Sequence, residues 1–286
     1  MDFSGTVILA GPAAPVHLNR AGTRVFGTLA LQSWEVLRSG AGTLAEFVVL
    51  GSDAVALVPD KLPLAEAAGL SAAGQTALKM CDVAGIKPGR GQRVLVNGGS
   101  GGVGTLACQI VRAMGAEEVV ATCSGGNVEM VSGLGVDEVI DYRAMAPLPD
   151  HLARTYSDRP FDVILDTVGI QALYEGSPSY LKPNGVYVNV GALEGVMWTF
   201  WCWAKNALWP TILGGTPRRY VMFSTVTNGR SAEKLADMVE TGKVRVVVDS
   251  VFGMDAVLEG YDHLASKRAK GKIVIKIQMT DPSTPS

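Results

Sequence analysis

The chain reads Arg93-Val94-Leu95-Val96-Asn97-Gly98-Gly99-Ser100-Gly101-Gly102-Val103-Gly104 where an apolar run meets a cluster of glycines. The run Arg93–Asn97 predicts a buried strand, and the segment Thr105–Met114, which ends at Gly115, predicts a helix. A glycine-rich turn between a strand and a helix is typical of dinucleotide binding, because glycines let the backbone approach a pyrophosphate at the helix N-terminus. Glycine makes up 34 of the 286 residues, so it is the order of strand, turn and helix that makes this motif informative.

The end of the next predicted strand distinguishes the two nicotinamide dinucleotides. An NAD site carries an acidic residue about 20 residues beyond the glycine turn, where it binds the ribose 2′-hydroxyl. Here the chain reads Thr122-Cys123-Ser124-Gly125-Gly126-Asn127, without a carboxylate. Ser124 can donate to a 2′-phosphate, and Tyr142 and Arg143 are either further phosphate contacts or ordinary loop residues. We therefore expect NADPH (NADP) as the cofactor.

From Ala77 onward, apolar strand-like runs alternate with helical segments, which is typical of parallel βαβ units. The residues Val163-Ile164-Leu165 are apolar in succession, so both faces of the sheet should be covered by helices. The sequence predicts an α/β fold with a doubly wound parallel (Rossmann) sheet over residues 72–226. Its predicted strands are Arg93–Asn97, Glu118–Cys123, Glu138–Asp141, Phe161–Thr167, Gly185–Val190 and Tyr220–Thr225.

The residues on either side, 1–71 and 227–286, predict a smaller, β-rich domain. Glycine, proline and polar residues separate the short β-like runs Phe3–Ala10, Thr23–Leu29, Thr43–Leu50 and Ala54–Pro59. The later predicted elements are a helix over Ser231–Thr241, a strand over Val244–Val251, a helix over Met254–Ser266 and a strand over Lys272–Gln278. We expect this last strand to return to the N-terminal β unit.

Composition excludes several partners. The chain has 25 basic and 27 acidic residues and no dense Lys/Arg block, so nucleic acid is not an expected partner. The aromatic segment Val196–Leu213 is interrupted by Lys205, Asn206 and Pro210, so no transmembrane segment is predicted there, although interfacial membrane contact stays open. Without a signal peptide, a cytoplasmic location is expected, and a mitochondrial one is left open.

The cysteines and histidines do not have the spacing of metal ligands, so no metal is expected. We interpret the cysteines as small core residues in a reducing compartment. The residues concerned are Cys81, Cys108, Cys123, Cys202, His17, His151 and His263.

Nine short motifs follow one another along nearly the whole chain: Asp2–Gly5, Arg24–Gly27, Gly42–Phe47, Ala67–Leu70, Gly74–Leu78, Asn97–Gly104, Val139–Tyr142, Phe161–Gly169 and Gly271–Val274. In this order they resemble the medium-chain dehydrogenase/reductase superfamily, and within it the zinc-free quinone oxidoreductase-like and enoyl reductase-like branch common in fungi. The resemblance implies that the β-rich domain is a GroES-like catalytic domain, shortened here because the chain begins after its first strands. It also implies hydride transfer from NADPH to an activated C=C bond (enone or enoyl) or a quinone.

The sequence departs from this family at two kinds of position. Many relatives carry a Lys or Arg on the phosphate side, where this chain has Gly125-Gly126. The Cys and His zinc ligands of the alcohol dehydrogenases are missing, which excludes their route of alcohol oxidation.

The resemblance also implies roles for residues outside the glycine turn. Thr76 is expected near the nicotinamide or its ribose, Gly191 and Ala192 beside the path from pyrophosphate to nicotinamide, and Lys272 at a cofactor phosphate; each has a packing alternative. The full set of cofactor-binding candidates is Thr76, Asn97, Gly99, Ser100, Gly101, Gly102, Val103, Gly104, Ser124, Tyr142, Gly191, Ala192 and Lys272.

For the substrate, we expect a bulky apolar enone, quinone or polyketide-like molecule. Phe223 should border its cleft, and helical spacing places Trp198 and Trp201 on one face, beside Cys202, as a cleft wall or as core packing. In this superfamily that region often forms a dimer interface, so a homodimer is expected. No catalytic residue is assigned, because no acid–base constellation is visible. The alternative function is a nucleotide-binding but non-redox protein, an isomerase, cyclase or partner subunit, derived by N-terminal shortening.

Overall fold

The structure is a computed structural model that describes residues 1–29, 42–224 and 227–277. Its strands are β1 (Asp2–Thr6), β2 (Arg24–Thr28), β3 (Val55–Leu57), β4 (Arg93–Asn97), β5 (Glu118–Cys123), β6 (Glu138–Asp141), β7 (Phe161–Asp166), β8 (Leu181–Asn189), β9 (Arg219–Met222), β10 (Val248–Gly253) and β11 (Lys272–Lys276). Its α-helices are α1 (Leu64–Ala67), α2 (Ser71–Ala84), α3 (Gly102–Ala113), α4 (Val128–Ser132), α5 (Leu148–Tyr156), α6 (Gln171–Glu175), α7 (Val196–Leu208), α8 (Gly229–Glu240) and α9 (Val257–Ala265).

These residues divide into two compact units, one drawn from Thr76–Thr225 and the other from Met1–Gln75 together with Val226–Ser286. The first unit contains a six-stranded sheet in the order β6-β5-β4-β7-β8-β9. Every neighbouring pair in it is parallel. The strand order reverses between β4 and β7, and ligands of such sheets bind beyond the carboxyl ends of the strands at that switch point.

Helices cover both faces of this sheet. Consecutive residues of the central strands are fully or almost fully buried: Val94, Leu95, Val96, Val163, Ile164 and Leu165. On one face Leu95, Val120 and Ile164 pack with Leu152 and Tyr156 of α5 in a single core cluster. The predicted doubly wound α/β fold is therefore confirmed.

The second unit contains an antiparallel three-stranded sheet, β1-β2-β3, and a parallel pair, β10-β11. Helix α8 packs against this unit through Leu235, which is fully buried and leaves no room for a side chain at Gly74. The amide oxygen of Asn228 caps the same helix by accepting from the Ser231 N–H at 2.9 Å.

One prediction for this unit was wrong. The segment Thr43–Leu50 is not a strand, and Phe47 and Val49 within it are exposed, because an apolar run forms a strand only where a partner strand receives it. The strand predicted at Lys272–Gln278 returns to the compact unit that contains the N-terminal strands, as expected. Within that unit β11 pairs with β10, through the β-α-β connection that contains α9, rather than with the N-terminal sheet.

Other predicted boundaries shift by a few residues. Helix α3 starts at Gly102 rather than at Thr105, because the tertiary turn overrides the low helix propensity of glycine. The predicted strands Tyr220–Thr225 and Lys272–Gln278 correspond to β9 and β11, which end earlier, at Met222 and Lys276. Thr225 and Gln278 themselves lie outside the described part of the chain. None of the helices within the described ranges is long and apolar enough to cross a membrane.

Candidate functional site

The glycine turn between β4 and α3 is held by close backbone packing. Gly98 has φ +86°, a left-handed conformation that favours glycine, and it reverses the chain after Asn97. A Cβ at Gly104 would lie 2.0 Å from the Gly98 carbonyl oxygen, so only glycine fits at this position of the helix. The start of α3 therefore rests directly on the turn.

The opposite side of the turn is fastened to β5. The Gly99 N–H donates to the Thr122 carbonyl at 2.8 Å, and the Gly98 N–H donates to the Thr122 hydroxyl at 3.0 Å. A Cβ at Gly99 would lie 3.0 Å from the Ala121 Cβ, so this glycine also permits a close approach.

Gly101 differs from these glycines, and the difference points to a ligand. It caps α3 with an extended backbone, and a Cβ there would meet its nearest neighbour at 3.6 Å, an ordinary contact. Packing within the chain therefore does not require glycine at this position. The first turn of α3 leaves N–H groups without helical partners and carries partial positive charge, which suits an anion next to an unshielded backbone. The residues present thus fit a pyrophosphate.

The next strand ends at the position expected for the adenosine ribose. Ser124 follows β5 and accepts a hydrogen bond from the Asn127 amide at 3.2 Å. The turn also lies against Asp141, the last residue of β6: a Cβ at Gly125 would be 2.5 Å from its carboxylate. The carboxyl end of β5 carries no carboxylate of its own, and the neighbouring strand β6 supplies one there.

Tyr142 and Arg143 follow Asp141 at the same edge of the sheet. The Tyr142 N–H donates to the Cys123 carbonyl at 3.0 Å, which places this residue beside the end of β5. The Arg143 side chain donates to the Tyr142 hydroxyl at 3.3 Å, and its guanidinium lies 5.8 Å from the ring centroid. The hydroxyl raises the pKa of this guanidinium. Both signs of charge are thus present where a 2′-phosphate would bind.

The strand ends are joined by a buried polar network. The Asn97 amide donates to Asp166 at 2.8 Å, and the Thr122 hydroxyl donates to Asn97 at 2.6 Å. The Tyr187 hydroxyl, on β8, donates to Asp166 at 2.6 Å. Burial, together with the nearby Asp166 carboxylate, raises the pKa of Tyr187 well above its usual value. Four neighbouring strands therefore end on one hydrogen-bonded network.

The loops after β7 and β8 cross at two glycines. A Cβ at Gly169 would lie 2.3 Å from the Gly191 carbonyl oxygen, and a Cβ at Gly191 would lie 2.1 Å from the Val168 carbonyl carbon. The Leu193 N–H donates to the Val168 carbonyl at 2.9 Å. Asn189 fixes the second loop by accepting from the Gly191 N–H at 2.9 Å. The expected cofactor residues Gly191 and Ala192 thus lie on a tightly fixed loop.

Most sequence-predicted cofactor residues gather at this carboxyl edge of the sheet, and two belong to elements outside the sheet, Thr76 to α2 and Lys272 to β11. Thr76 is half-buried on α2. Lys272 lies at the start of β11, and its ammonium is 3.1 Å from the carboxylate of Asp2. The other Asp2 oxygen accepts from the Ala72 N–H at 2.8 Å, in the first turn of α2. Lys272 therefore already has an anionic partner within its own unit.

The predicted substrate-pocket residues are less buried than core residues. Trp198 is 50% exposed and Trp201 is 65% exposed, so the alternative of core packing is wrong for both. Cys202 and Thr199 instead form the buried face of α7. Phe223 follows β9 and is half-buried. An aromatic surface beside the carboxyl edge of the sheet is thus available to an apolar molecule.

Two cysteines are buried near the glycine turn. Burial raises the pKa of the Cys108 thiol to about 12. Burial and the Asp141 carboxylate raise the pKa of Cys123 to about 11. Within residues 1–29, 42–224 and 227–277, no group of three or more His, Cys, Asp and Glu side chains could hold a metal ion.

Sequence reasoning missed several residues of this site. Asp166, Thr122 and Asn189 were not singled out, and Asp141 was taken only as a strand end. A signal was present: Asn97, Asp166 and Asn189 are each the polar last residue of an apolar strand, where parallel neighbours end side by side.

Comparison with known proteins supplies relatives for this arrangement. A family model described as zinc-binding dehydrogenase matches residues 134–275. A medium chain reductase from Acremonium sp is 39% identical over 295 residues, covering 96% of this chain and 80% of that protein. A trans-enoyl reductase from Penicillium oxalicum is 36% identical over 307 residues, covering 97% of this chain and 78% of that protein.

Solved structures share the architecture as well. The quinone oxidoreductase from Coxiella burnetii superimposes with a TM-score of 0.76 at 26% sequence identity, covering 97% of this chain and 78% of that one. The description of the family model names zinc, whereas no three His, Cys, Asp and Glu side chains in the described ranges are grouped so that they could hold a metal ion.

Proposed function

This chain belongs to the medium-chain dehydrogenase/reductase superfamily, and from that premise we propose that it is an NADPH-dependent, zinc-free reductase of activated C=C bonds or quinones. Its relatives are named as reductases, which supports the broader assignment as an oxidoreductase. The observation that carries the finer proposal is the turn at Gly98–Gly104, where close packing requires glycine at Gly104 and leaves Gly101 open to a ligand.

NADPH, when bound, supplies a hydride to the substrate carbon or quinone. The residues of the turn and the start of α3 would hold the pyrophosphate, and Ser124, Tyr142 and Arg143 would hold the adenosine ribose and its phosphate. Gly191 and Ala192 would orient the nicotinamide half through the crossed loops. These residues bind and orient the reactants, and no proton donor is assigned.

We propose that the substrate is bulky and apolar, as expected from the exposed aromatic side chains. Trp198 and Trp201 would form its wall, with Phe223 at the border. Among the described residues, no three His, Cys, Asp and Glu side chains are grouped as zinc ligands would be, which supports chemistry without a zinc ion. We also propose that Met1–Gln75 with Val226–Ser286 forms the GroES-like catalytic domain and that the protein is cytoplasmic.

The test is a titration of the purified chain with NADPH by fluorescence, followed by NADPH oxidation with a panel of quinones and enones. Saturable binding, and oxidation that requires a panel member, are the expected results. Binding without oxidation across the whole panel would favour a non-redox isomerase, cyclase or partner subunit. Absence of binding would exclude both functions.

Asp141 provides a prediction for cofactor preference. Its carboxylate lies against the turn at Gly125, where it disfavours a 2′-phosphate and favours a ribose hydroxyl. Asp141→Asn should raise the affinity for NADPH relative to NADH by about fivefold, as removal of one partly exposed charge allows. Dissociation constants for both cofactors, measured by fluorescence, check this. Asp158→Asn, before the amino-terminal end of β7, is the charge-matched control and should change neither. A lower preference for NADPH in Asp141→Asn would contradict this placement.

Helix α7 supports the proposal of a homodimer. Its buried residues include Thr199 and Cys202, whereas the large apolar side chains Met197, Phe200 and Leu208 are exposed. An ordinary surface helix buries its large apolar side chains and exposes its polar ones. Apart from Trp198 and Trp201, eight exposed large apolar side chains between Leu193 and Leu213 offer, at roughly 100 Å² each, the roughly 800 Å² per partner of a standard interface.

A second copy of the chain would cover this face. Light scattering should show a dimer for the wild type and a monomer for the double variant Phe200→Ser and Leu208→Ser. Met145→Ser removes another exposed apolar side chain and should leave the dimer intact. A monomeric wild type at micromolar concentration would refute the dimer.

A further inference from the structure

The Asp166 carboxylate has an unusual number of donors for one buried group. It is 1% exposed and ends β7. One oxygen accepts from the Asn97 amide at 2.8 Å, the Val168 N–H at 2.9 Å and the Gly169 N–H at 3.0 Å. The other accepts from the Tyr187 hydroxyl at 2.6 Å and the Ile170 N–H at 3.3 Å. All five partners donate, so the site requires a group that only accepts.

These hydrogen bonds extend in two directions. Toward β5, Asn97 accepts from Thr122, whose hydroxyl in turn accepts from the Gly98 N–H. This chain of bonds reaches the first residue of the glycine turn. Toward β8, the bonds to Val168 and Gly169 shape the loop that crosses Gly191. One carboxylate is thus linked to both sides of the switch point.

We propose that Asp166 is a positioning residue that holds the glycine turn and the Gly191 loop in register for a bound dinucleotide. This inference rests on the proposed function for the identity of the ligand. Its structural part does not, because the loops are ordered by Asp166 whatever they bind. Two accepting oxygens are essential, since the NH₂ group of an amide of the same shape would face the donors that one of the oxygens now receives.

Asp166→Asn, compared with Asp162→Asn, tests the proposal. Asp162 lies at the other end of β7, where its carboxylate accepts from Lys182 at 2.7 Å and from the Arg93 N–H at 3.0 Å. Both variants should lower the thermal midpoint. Only Asp166→Asn should weaken NADPH binding, by about tenfold, and speed hydrogen exchange at residues 168–170 and 191–193 in the cofactor-free chain.

A milder pair covers the case in which Asp166→Asn does not fold. Tyr187→Phe removes one donor to Asp166 and should weaken NADPH binding by about threefold. Tyr174→Phe removes a buried hydroxyl that donates to the Arg218 carbonyl at 2.7 Å, and it should leave binding unchanged. Unchanged binding and loop exchange in Asp166→Asn and Tyr187→Phe would overturn the proposal. A wild type that does not bind NADPH would instead refute the proposed function, while the exchange measurement would still test Asp166.

Discussion

Replacement of Gly104 by alanine should raise the dissociation constant for NADPH by about a hundredfold or more, the largest effect expected for any single methyl group in this chain. The added Cβ would lie 2.0 Å from the Gly98 carbonyl oxygen, which belongs to the backbone and cannot rotate away. Either the turn or the start of α3 must move, and both would form the proposed pyrophosphate site. Fluorescence titration with NADPH measures the loss.

Two further alanine variants separate the binding effect from general damage. In Gly101→Ala the added Cβ would lie 3.6 Å from its nearest neighbour, an ordinary contact, so the thermal midpoint should be near that of the wild type. Its affinity for NADPH should nevertheless fall. Gly11→Ala adds a methyl group with nothing within 4 Å and should change neither quantity. Full NADPH affinity in Gly104→Ala would show that the pyrophosphate does not bind at this turn.

Replacement of Gly191 by alanine should lower kcat/KM for the enone or quinone that is reduced by about a hundredfold. The new Cβ would lie 2.1 Å from the Val168 carbonyl carbon, so the crossed loops must separate. In the proposed site the adenosine half would lie at the ends of β5 and β6, which the new Cβ does not touch. Affinity for 2′,5′-ADP, measured by calorimetry, should therefore be retained while the rate with NADPH falls.

The control for this variant is Gly5→Ala in β1, where a Cβ has open space and no effect on rate is expected. An unchanged kcat/KM in Gly191→Ala would show that this loop does not orient the nicotinamide. A parallel loss of 2′,5′-ADP binding would show that the effect is not confined to that half of the site.

Features that depend on adjacent residues were predictable from sequence. Local sequence determines the strand Arg93–Asn97, the glycine turn that follows it and the glycine just after the C-terminal end of α3. This glycine, Gly115, has the positive φ of +91° that its position predicts. The apolar runs within β5 and β7 were predicted because strands that are buried on both faces carry apolar residues in succession.

Features that depend on pairing between distant segments were not predictable. An apolar alternation in Thr43–Leu50 resembles a strand, but its hydrogen bonds need a partner that the local pattern does not specify. Similarly, the residues of β11 predict a strand, but they do not indicate that it pairs with β10 rather than with the N-terminal sheet. The register of such a pair is a property of the tertiary fold.

The same distinction applies to the candidate site. Gly104 could be identified from its motif, whereas Asp141 acts beside Gly125 only because β6 ends next to β5. Asp166 gathers donors from β4, its own loop and β8, and no spacing in the sequence connects Asn97 with Tyr187. Polar residues at the ends of buried strands are the one local indication of such a network.

Transfer of deuterium from NADPH labelled at the nicotinamide C4 position, followed by mass spectrometry of the product, tests the proposed reduction most directly. The reductase account predicts that one of the two C4 diastereomers of labelled NADPH delivers its deuterium to the β-carbon of an enone. A quinone would take up the same deuteride, but the hydroxyl groups of the resulting hydroquinone exchange the label with water. For the enone, the label should appear in the isolated product and be absent after incubation with Gly104→Ala. An enone converted to an isomer without label from either diastereomer, by a chain that binds NADPH, would contradict hydride transfer.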